Sequence, residues 1–206
     1  MTRVLPAASV ARLPRYLRYL EQVAGSVDVV SSEDIADGSG VSAVQVRKDL
    51  SFLGASGTRG VGYHAQALSD QIARTLGLAS QHGVAIVGAG NLGSALANYQ
   101  GFGSRGFDMV GIYDVSPSAI GTRVGALEVK HVDQLAADAR EMGISIGMIA
   151  TPADAASSAA HRLVDAGVRS ILNFAPIEVS VPEDVTVRRV DLAVELQILS
   201  YHLAHG

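Results

Sequence analysis

The sequence contains no cysteine in 206 residues. Disulfides, zinc–thiolate centres, iron–sulfur ligation and thiol switches are therefore excluded together. Tryptophan is also absent, and aromatic residues make up only 5% of the chain. No run approaches the roughly 18 consecutive apolar residues of a membrane span. Met1–Ala7 lacks the basic segment and long apolar segment of a secretion signal. A cytoplasmic protein with no membrane partner is expected. The six histidines (His64, His82, His131, His161, His202, His205) form no His-Glu-x-x-His or related spacing, so no metal site is expected. His131 and His161 read as surface or helix-end residues. Catalytic signatures are missing as well. No Tyr is followed four residues later by Lys, and neither a Gly-x-Ser-x-Gly nor a Walker A lysine occurs. The chain is not expected to be an enzyme.

What is present divides in two. Hydrophobic residues reach 48%, enough for a packed core. The net charge of −4 hides an asymmetry. Residues 1–76 carry eight Lys/Arg against seven Asp/Glu, and residues 77–206 carry eight against thirteen. The cations of the front segment cluster at Arg12, Arg15 and Arg18, and again at Arg47, Lys48 and Arg59. Clusters, more than totals, steer a protein toward phosphate. The character of the chain changes within 77–82, which separates an N-terminal domain (1–76) from a domain spanning 77–190 and a final helix (191–206).

In the front segment Leu13, Leu17 and Leu20 recur at helical spacing, with Pro14 read as lying near the helix start. Ser31 and Asp34 resemble a capping box, and Ser42 with Gln45 a second one. Two short helices joined by a glycine turn form a helix-turn-helix pattern. On the second helix Val46, Leu50 and Leu53 face the core by spacing. The opposite face carries Val44, Gln45, Lys48 and Ser51, with Arg47 flanking, and Ser42 at the helix start joins them as a candidate DNA contact. That inventory suits a major groove: Lys and Arg reach guanine acceptors or phosphate, Gln pairs with adenine, and an aliphatic group touches a thymine methyl. A solvated helix face has the same composition, and the next stretch shifts the balance. "GASGTRGVGYHA" places Gly57, Gly60 and Gly62 around Thr58 and Arg59, which is hairpin chemistry with an arginine at the tip. A helix-turn-helix followed by such a wing is a winged helix.

From Gly83 the pattern becomes βαβ. The strand "GVAIVG" runs into Gly88-Ala89-Gly90-Asn91-Leu92-Gly93 and the helix "LGSALANYQG". The strand "FDMVGIYD" ends at Asp114, 21 residues after Gly93. Spacing and context match the dinucleotide fingerprint. Gly88 permits a tight turn, Gly90 lets the backbone approach a pyrophosphate, and Gly93 lets helix and strand pack. Asp114 suits ribose hydroxyls and repels a 2′-phosphate, favouring NAD(H) over NADP(H). Coenzyme A on a Rossmann-like fold is the alternative ligand. Further strands "LEVKH", "ISIGMIA", "VRSILNF" and "VTVRRV" place Thr151, Pro152 and Asn173 at carboxyl ends, where an open α/β sheet holds its ligand. "DLAVELQILSYHLA" is an amphipathic last helix that packs on its own domain or docks on a partner subunit.

Taken together, "QVRKDLSFLGASGTRGVGY", "VGAGNLGSALANYQGFGSRGF" and "ILNFAP" followed by "VDLAVELQILSYHLA" resemble the Rex family of NAD(H)-responsive transcriptional repressors. The resemblance covers nearly the whole chain. It implies an α/β protein in which an N-terminal winged-helix domain precedes a Rossmann-like domain and an exchanged C-terminal helix. It further implies a homodimer that binds a palindromic operator, takes up NADH or NAD⁺, and releases DNA when NADH closes it. Arg47, Lys48 and Arg59 match the family's DNA-contacting helix and wing. Arg18, Tyr99 and Asp191 match positions whose cross-subunit polar contacts depend on ligand state, and Tyr99 also borders the cofactor site. The sequence departs from the family pattern at two positions. Leu192 stands where some members have a Phe that enters the partner's nicotinamide pocket, and Val44 stands where an aromatic residue occurs. Two other functions fit parts of the chain: a small NAD-dependent oxidoreductase, and a coenzyme A- or nucleotide-binding subunit whose front domain contacts protein.

Overall fold

The computed structural model describes residues 5–55, 57–58 and 60–205. Contacts divide the chain between Ser80 and Gln81 into two units.

The first unit is built on helix α1 (Ala7–Val23). Leu13, Tyr16, Leu17 and Leu20 repeat at three- and four-residue steps and are buried on one face. Each such side chain contributes roughly 1.5–3 kcal/mol on burial. The helix starts seven residues before Pro14, which lies inside it and not at its start as the spacing suggested. Pro14 is exposed. The Val10 carbonyl that loses its usual donor therefore faces the side where water can replace it.

Strand β1 (Val29–Val30) leads to α2 (Ser32–Ser39). The expected capping box is closed: the Asp34 amide donates to Ser31 Oγ at 3.0 Å, and the Ser31 amide donates to the Asp34 carboxylate at 2.8 Å. Gly40 ends α2 at φ +67°, a conformation that favours glycine. Helix α3 (Ala43–Phe52) follows at once. Only half of its expected box forms. The Gln45 amide donates to Ser42 Oγ, but the Gln45 side chain turns away to Asp49. The Thr58–Gly62 bridge makes the turn of the wing, and β2 (Tyr63–His64) pairs antiparallel with β1. Arg59 lies outside the described residues. Helix α4 (Ala65–Thr75) was not expected; Ala65, Leu68 and Ile72 bury it against the same core. This is a winged-helix arrangement.

Between α1 and α3 lies a buried carboxylate. Asp49 has no exposed surface. It accepts hydrogen bonds from Ser9 Oγ (2.8 Å), Arg12 Nε (2.6 Å) and Nη2 (2.8 Å), Tyr16 Oη (2.8 Å) and Gln45 Nε2 (2.8 Å). Arg12 is therefore a structural partner and not a free phosphate-steering cation. Burial alone would raise the Asp49 pKa. The bonds from Arg12, Tyr16, Ser9 and Gln45 outweigh it and hold the carboxyl far below the usual carboxylate range. Burial, then the bond to Asp49, pushes the Tyr16 hydroxyl well above its ordinary value.

The second unit is a seven-stranded sheet in the order β5-β6-β4-β3-β7-β8-β9. Its members are β3 (His82–Val87), β4 (Phe107–Asp114), β5 (Arg123–Val124), β6 (Leu127–His131), β7 (Ile144–Ile149), β8 (Ser170–Asn173) and β9 (Thr186–Arg189). All pairs are parallel except β5 with β6, an edge hairpin that was not foreseen. Val84 and Ile86 pack on one face and Ala85 and Val87 on the other, so both faces of β3 are covered. Helix α5 (Asn91–Ala97) packs through Leu96 and Ala97 on the first face. Helices α6 (Leu135–Glu141) and α7 (Ala153–Asp165) pack through Leu135, Ala139, Ala156, Ala160 and Leu163 on the second. α5 is shorter than the expected 92–101, because Asn98 caps it and donates its amide to the Ser94 carbonyl at 2.9 Å. Strand order reverses at β3, with β4 on one side and β7 on the other. That makes the carboxyl ends of β3 and β7 a topological switch point.

Helix α8 (Leu192–His205) closes the chain and buries none of its side chains.

Replacing Asp49 by Ala should lower the stability of the first unit by about 3 kcal/mol, because it removes one partner of a buried pair. The Asp49 contribution should be complete above about pH 4, the unfolded carboxylate value, and fall away as pH drops toward the folded one. Urea unfolding at pH 7 and pH 3 should therefore weaken the natural chain more than the Asp49→Ala chain.

Candidate functional site

On the first unit, α3 presents its surface around a core stripe of Val46, Asp49 and Leu50. Val44 is 69% exposed, and Lys48 is exposed with no side-chain partner among the described residues. Arg47 is exposed and donates from Nη1 to Ser32 Oγ (2.8 Å) and Glu33 Oε1 (2.9 Å). The other expected readers are committed elsewhere. Gln45 is drawn into the Asp49 cluster, Ser42 caps α3, and Ser51 donates to the Lys48 carbonyl at 2.7 Å. Val44, Arg47 and Lys48 remain as the described candidates for reading bases.

On the second unit, the glycines have distinct geometric duties. Gly88 has φ +104°, and a Cβ there would crowd the Ala150 carbonyl. A Cβ at Gly93 would collide with the Gly88 carbonyl oxygen, so this glycine lets helix and strand meet. Gly90 differs. Its φ is an ordinary −68°, and a Cβ would meet nothing within 4 Å. The chain itself does not demand a glycine there, whereas a group lying on the loop would. Helix α5 begins at Asn91 with no side-chain cap, which leaves the Asn91, Leu92 and Gly93 amides directed outward.

Asp114, at the end of β4, is less free than expected. Its Oδ2 accepts the Ala89 amide at 2.7 Å, and its Oδ1 accepts the Val115 and Ser116 amides at 2.8 Å each. A carboxylate has about four acceptor sites, so roughly one remains for a ribose hydroxyl. The Ala89 amide is correspondingly occupied. Across the switch point, Thr151 Oγ1 is buried with no hydrogen-bond partner, the only such atom among the described side chains. An unsatisfied buried hydroxyl costs about 1–3 kcal/mol, and a bound polar group would satisfy it. Pro152 caps α7 beside it. Asn173 is buried, donates to the Ile177 carbonyl (2.8 Å) and accepts the Ala175 amide (2.9 Å). It shapes the loop after β8, and its polar atoms are already engaged there. Together Gly90, the α5 amides, Thr151 and the free side of Asp114 fit a dinucleotide.

Tyr99 is 56% exposed and meets Phe102 edge-on at 4.8 Å. Asp191 pairs with Arg189 at 2.6 Å and accepts the Ala193 amide at 3.1 Å, capping α8. Leu192 is 60% exposed, and Arg18 is exposed on α1. His131 caps a short 3-10 turn, as a helix-end histidine should. The sequence reading missed Asp49, Tyr16 and Ser9 as a cluster, and Glu33 beside Arg47. A signal existed: Ser9, Arg12 and Tyr16 share one helical face, and Asp49 interrupts the apolar stripe of α3.

A family model described as a CoA binding domain matches residues 79–177, and one described as a putative DNA-binding protein N-terminus matches residues 4–51. The "Redox-sensing transcriptional repressor Rex" of Streptomyces griseus is 54% identical over 98% of this chain and 80% of its own length. The chain belongs to the Rex family. Among solved structures, the Rex-family repressor RSP in complex with β-NAD⁺ and operator DNA matches 97% of this chain and 93% of its own, at 39% identity and a TM-score of 0.90. RSP in complex with β-NADH matches 97% and 94%, at 38% identity and a TM-score of 0.86. Members of the Rex family are named as transcriptional repressors and not as enzymes. No described helix is long and apolar enough to cross a membrane.

The two glycines predict opposite phenotypes. Gly90→Val should leave the melting temperature nearly unchanged and weaken NADH binding by tenfold or more, which is about 1.4 kcal/mol or above. Gly93→Ala should destabilise the second unit outright. Calorimetric titration and thermal melting of both variants check this.

Proposed function

We propose that this chain is a cytoplasmic, homodimeric repressor that binds a palindromic operator and lets go when NADH binds. The supporting observation is the pairing, in one chain, of a winged helix that presents Val44, Arg47 and Lys48 with a dinucleotide switch point around Gly90, Thr151 and Asp114. α3 enters the major groove, and Arg59, which the sequence marks as a wing arginine, is the candidate for the minor groove or phosphate. A two-fold dimer places two such helices about one helical turn apart, which is why the operator is palindromic.

The dimer reading rests on α8. Leu192, Leu196, Leu199 and Leu203 share one face of the helix and are 59–88% exposed, an apolar stripe that a monomer would leave in water. An exchanged α8 covers it with a second copy. Asp191 and Leu192 then lie against the other subunit. Asp191, Arg18 and Tyr99 form polar contacts that change with ligand state, and Tyr99 and Leu192 border the nicotinamide. Leu192 offers a smaller, non-aromatic surface there.

NAD⁺ and NADH differ by one positive charge on the nicotinamide. A closed apolar pocket favours the neutral form, since burying an unpaired charge is costly. A ligand shifts an equilibrium only by its preference between two states. A swing from 1:99 to 99:1 requires about 5.5 kcal/mol of differential affinity, which two sites in a dimer can share.

Two measurements follow. In a mobility-shift assay on a palindromic operator, NADH should release the protein and NAD⁺ should leave the complex in place; an intact complex at saturating NADH contradicts the switch. Leu196→Asp with Leu199→Asp should convert the dimer to monomer by light scattering while the melting of each unit holds, because neither side chain packs within the chain.

A further inference from the structure

Among the described base-reading candidates, only Arg47 is anchored to another helix by its side chain. Its Nη1 donates to Ser32 Oγ (2.8 Å) and Glu33 Oε1 (2.9 Å), and the Ser32 hydroxyl donates onward to Glu33 Oε2 (3.0 Å). Ser32, Glu33 and Arg47 thus form a closed ring of hydrogen bonds between α2 and α3. The ring stands on firm backbone, because Ser32 and Glu33 occupy the first turn of α2 beside the closed Ser31–Asp34 capping box. The ring borders an open groove of about 440 Å³, lined also by Ser31, Gly57 and Tyr63. The Ser32 hydroxyl, then the Glu33 backbone, then Arg47, lower the Glu33 pKa.

A guanidinium carries five N–H donors in a planar fork. Nη1 uses both of its hydrogens on the ring. The Nε and Nη2 edge has no partner among the described residues. That edge holds two parallel donors, the geometry that matches the O6 and N7 acceptors of guanine. An unanchored arginine would reach phosphates as readily as bases, and phosphate contacts carry no sequence information. The Glu33 charge also repels the DNA backbone, which weakens binding that ignores sequence.

We infer that Glu33, supported by Ser32, is a specificity-determining positioning residue: it holds Arg47 by Nη1 and presents the Nε/Nη2 edge to a guanine of the operator. This rests on the proposal that α3 reads DNA. An exposed pair of this kind is worth about 1.5- to fivefold in an equilibrium, so the effect falls on selectivity and not on the existence of binding.

The test uses the full chain and two duplexes. One is enriched by the natural protein from a library with a randomised segment of about 20 base pairs, enough for two half-sites a helical turn apart. The other is the same duplex with its bases scrambled. Affinities for both are measured across a salt series, with thermal melting as a control on folding. Glu33→Ala should lower the enriched-to-scrambled ratio by about threefold to fivefold, while affinity for scrambled DNA holds or rises. Glu33→Gln keeps an acceptor for Nη1 and removes the charge. It should preserve most of the ratio while raising affinity for both duplexes. A ratio unchanged in Glu33→Ala overturns the inference. Affinities rising together would leave Glu33 a simple repulsive charge, and affinities falling together would leave it a structural one. If the natural chain shows no preference between the duplexes, the DNA-reading proposal itself fails and takes this inference with it.

Discussion

The orientation of α3 depends on one buried carboxylate. Asp49 ties α3 to α1 through Ser9, Arg12 and Tyr16, and that tie sets much of the proposed DNA-reading surface. It withdraws Arg12 from solvent and draws Gln45 off the exposed face. It leaves Val44, Arg47 and Lys48 outward, with Arg47 steadied from α2. A charge in a protein interior persists only when it is fully paired. The dense bonding of Asp49 therefore also specifies which face of α3 turns outward.

The second unit is ordered by topology. Because the strand order reverses at β3, the loops after β3, β4 and β7 meet at one edge of the sheet. Their residues carry different constraints. Gly88 and Gly93 answer to the chain's own sterics, whereas Gly90 and Thr151 Oγ1 make sense only with a bound group. The relatives are named as transcriptional repressors, and sensing a dinucleotide needs a second state. On the proposed function, that state is decided at the bare surface of α8, in a contact between two copies.

Much of this was legible in the sequence because local rules suffice for it. The Ser31–Asp34 box, the Gly40 stop, the buried run of β3 and the strand ending at Asp114 are short-range patterns, and they appear where expected. What escaped depends on tertiary placement. Pro14 reads as a helix start unless Ala7–Leu13 is known to pack. Asp49 reads as a solvated residue unless α1 lies over it. Gln45 reads as a base-contacting residue and Asn173 as a ligand-site residue until their bonds to Asp49 and to the loop after β8 are seen. Helix α6 and strand β5 are short, and their signals are weaker than the glycine motifs beside them; α4 is longer, and its Ala65, Leu68 and Ile72 do recur at helical spacing.

On the proposed function, DNA and NADH oppose each other as ligands of one two-state protein, and such coupling is reciprocal. The most direct measurement is therefore calorimetric titration of NADH into the full chain, free and saturated with operator duplex. The factor by which DNA weakens NADH binding should equal the factor by which NADH weakens DNA binding. Equal NADH affinity with and without the operator would contradict the switch, whatever the strength of either interaction alone.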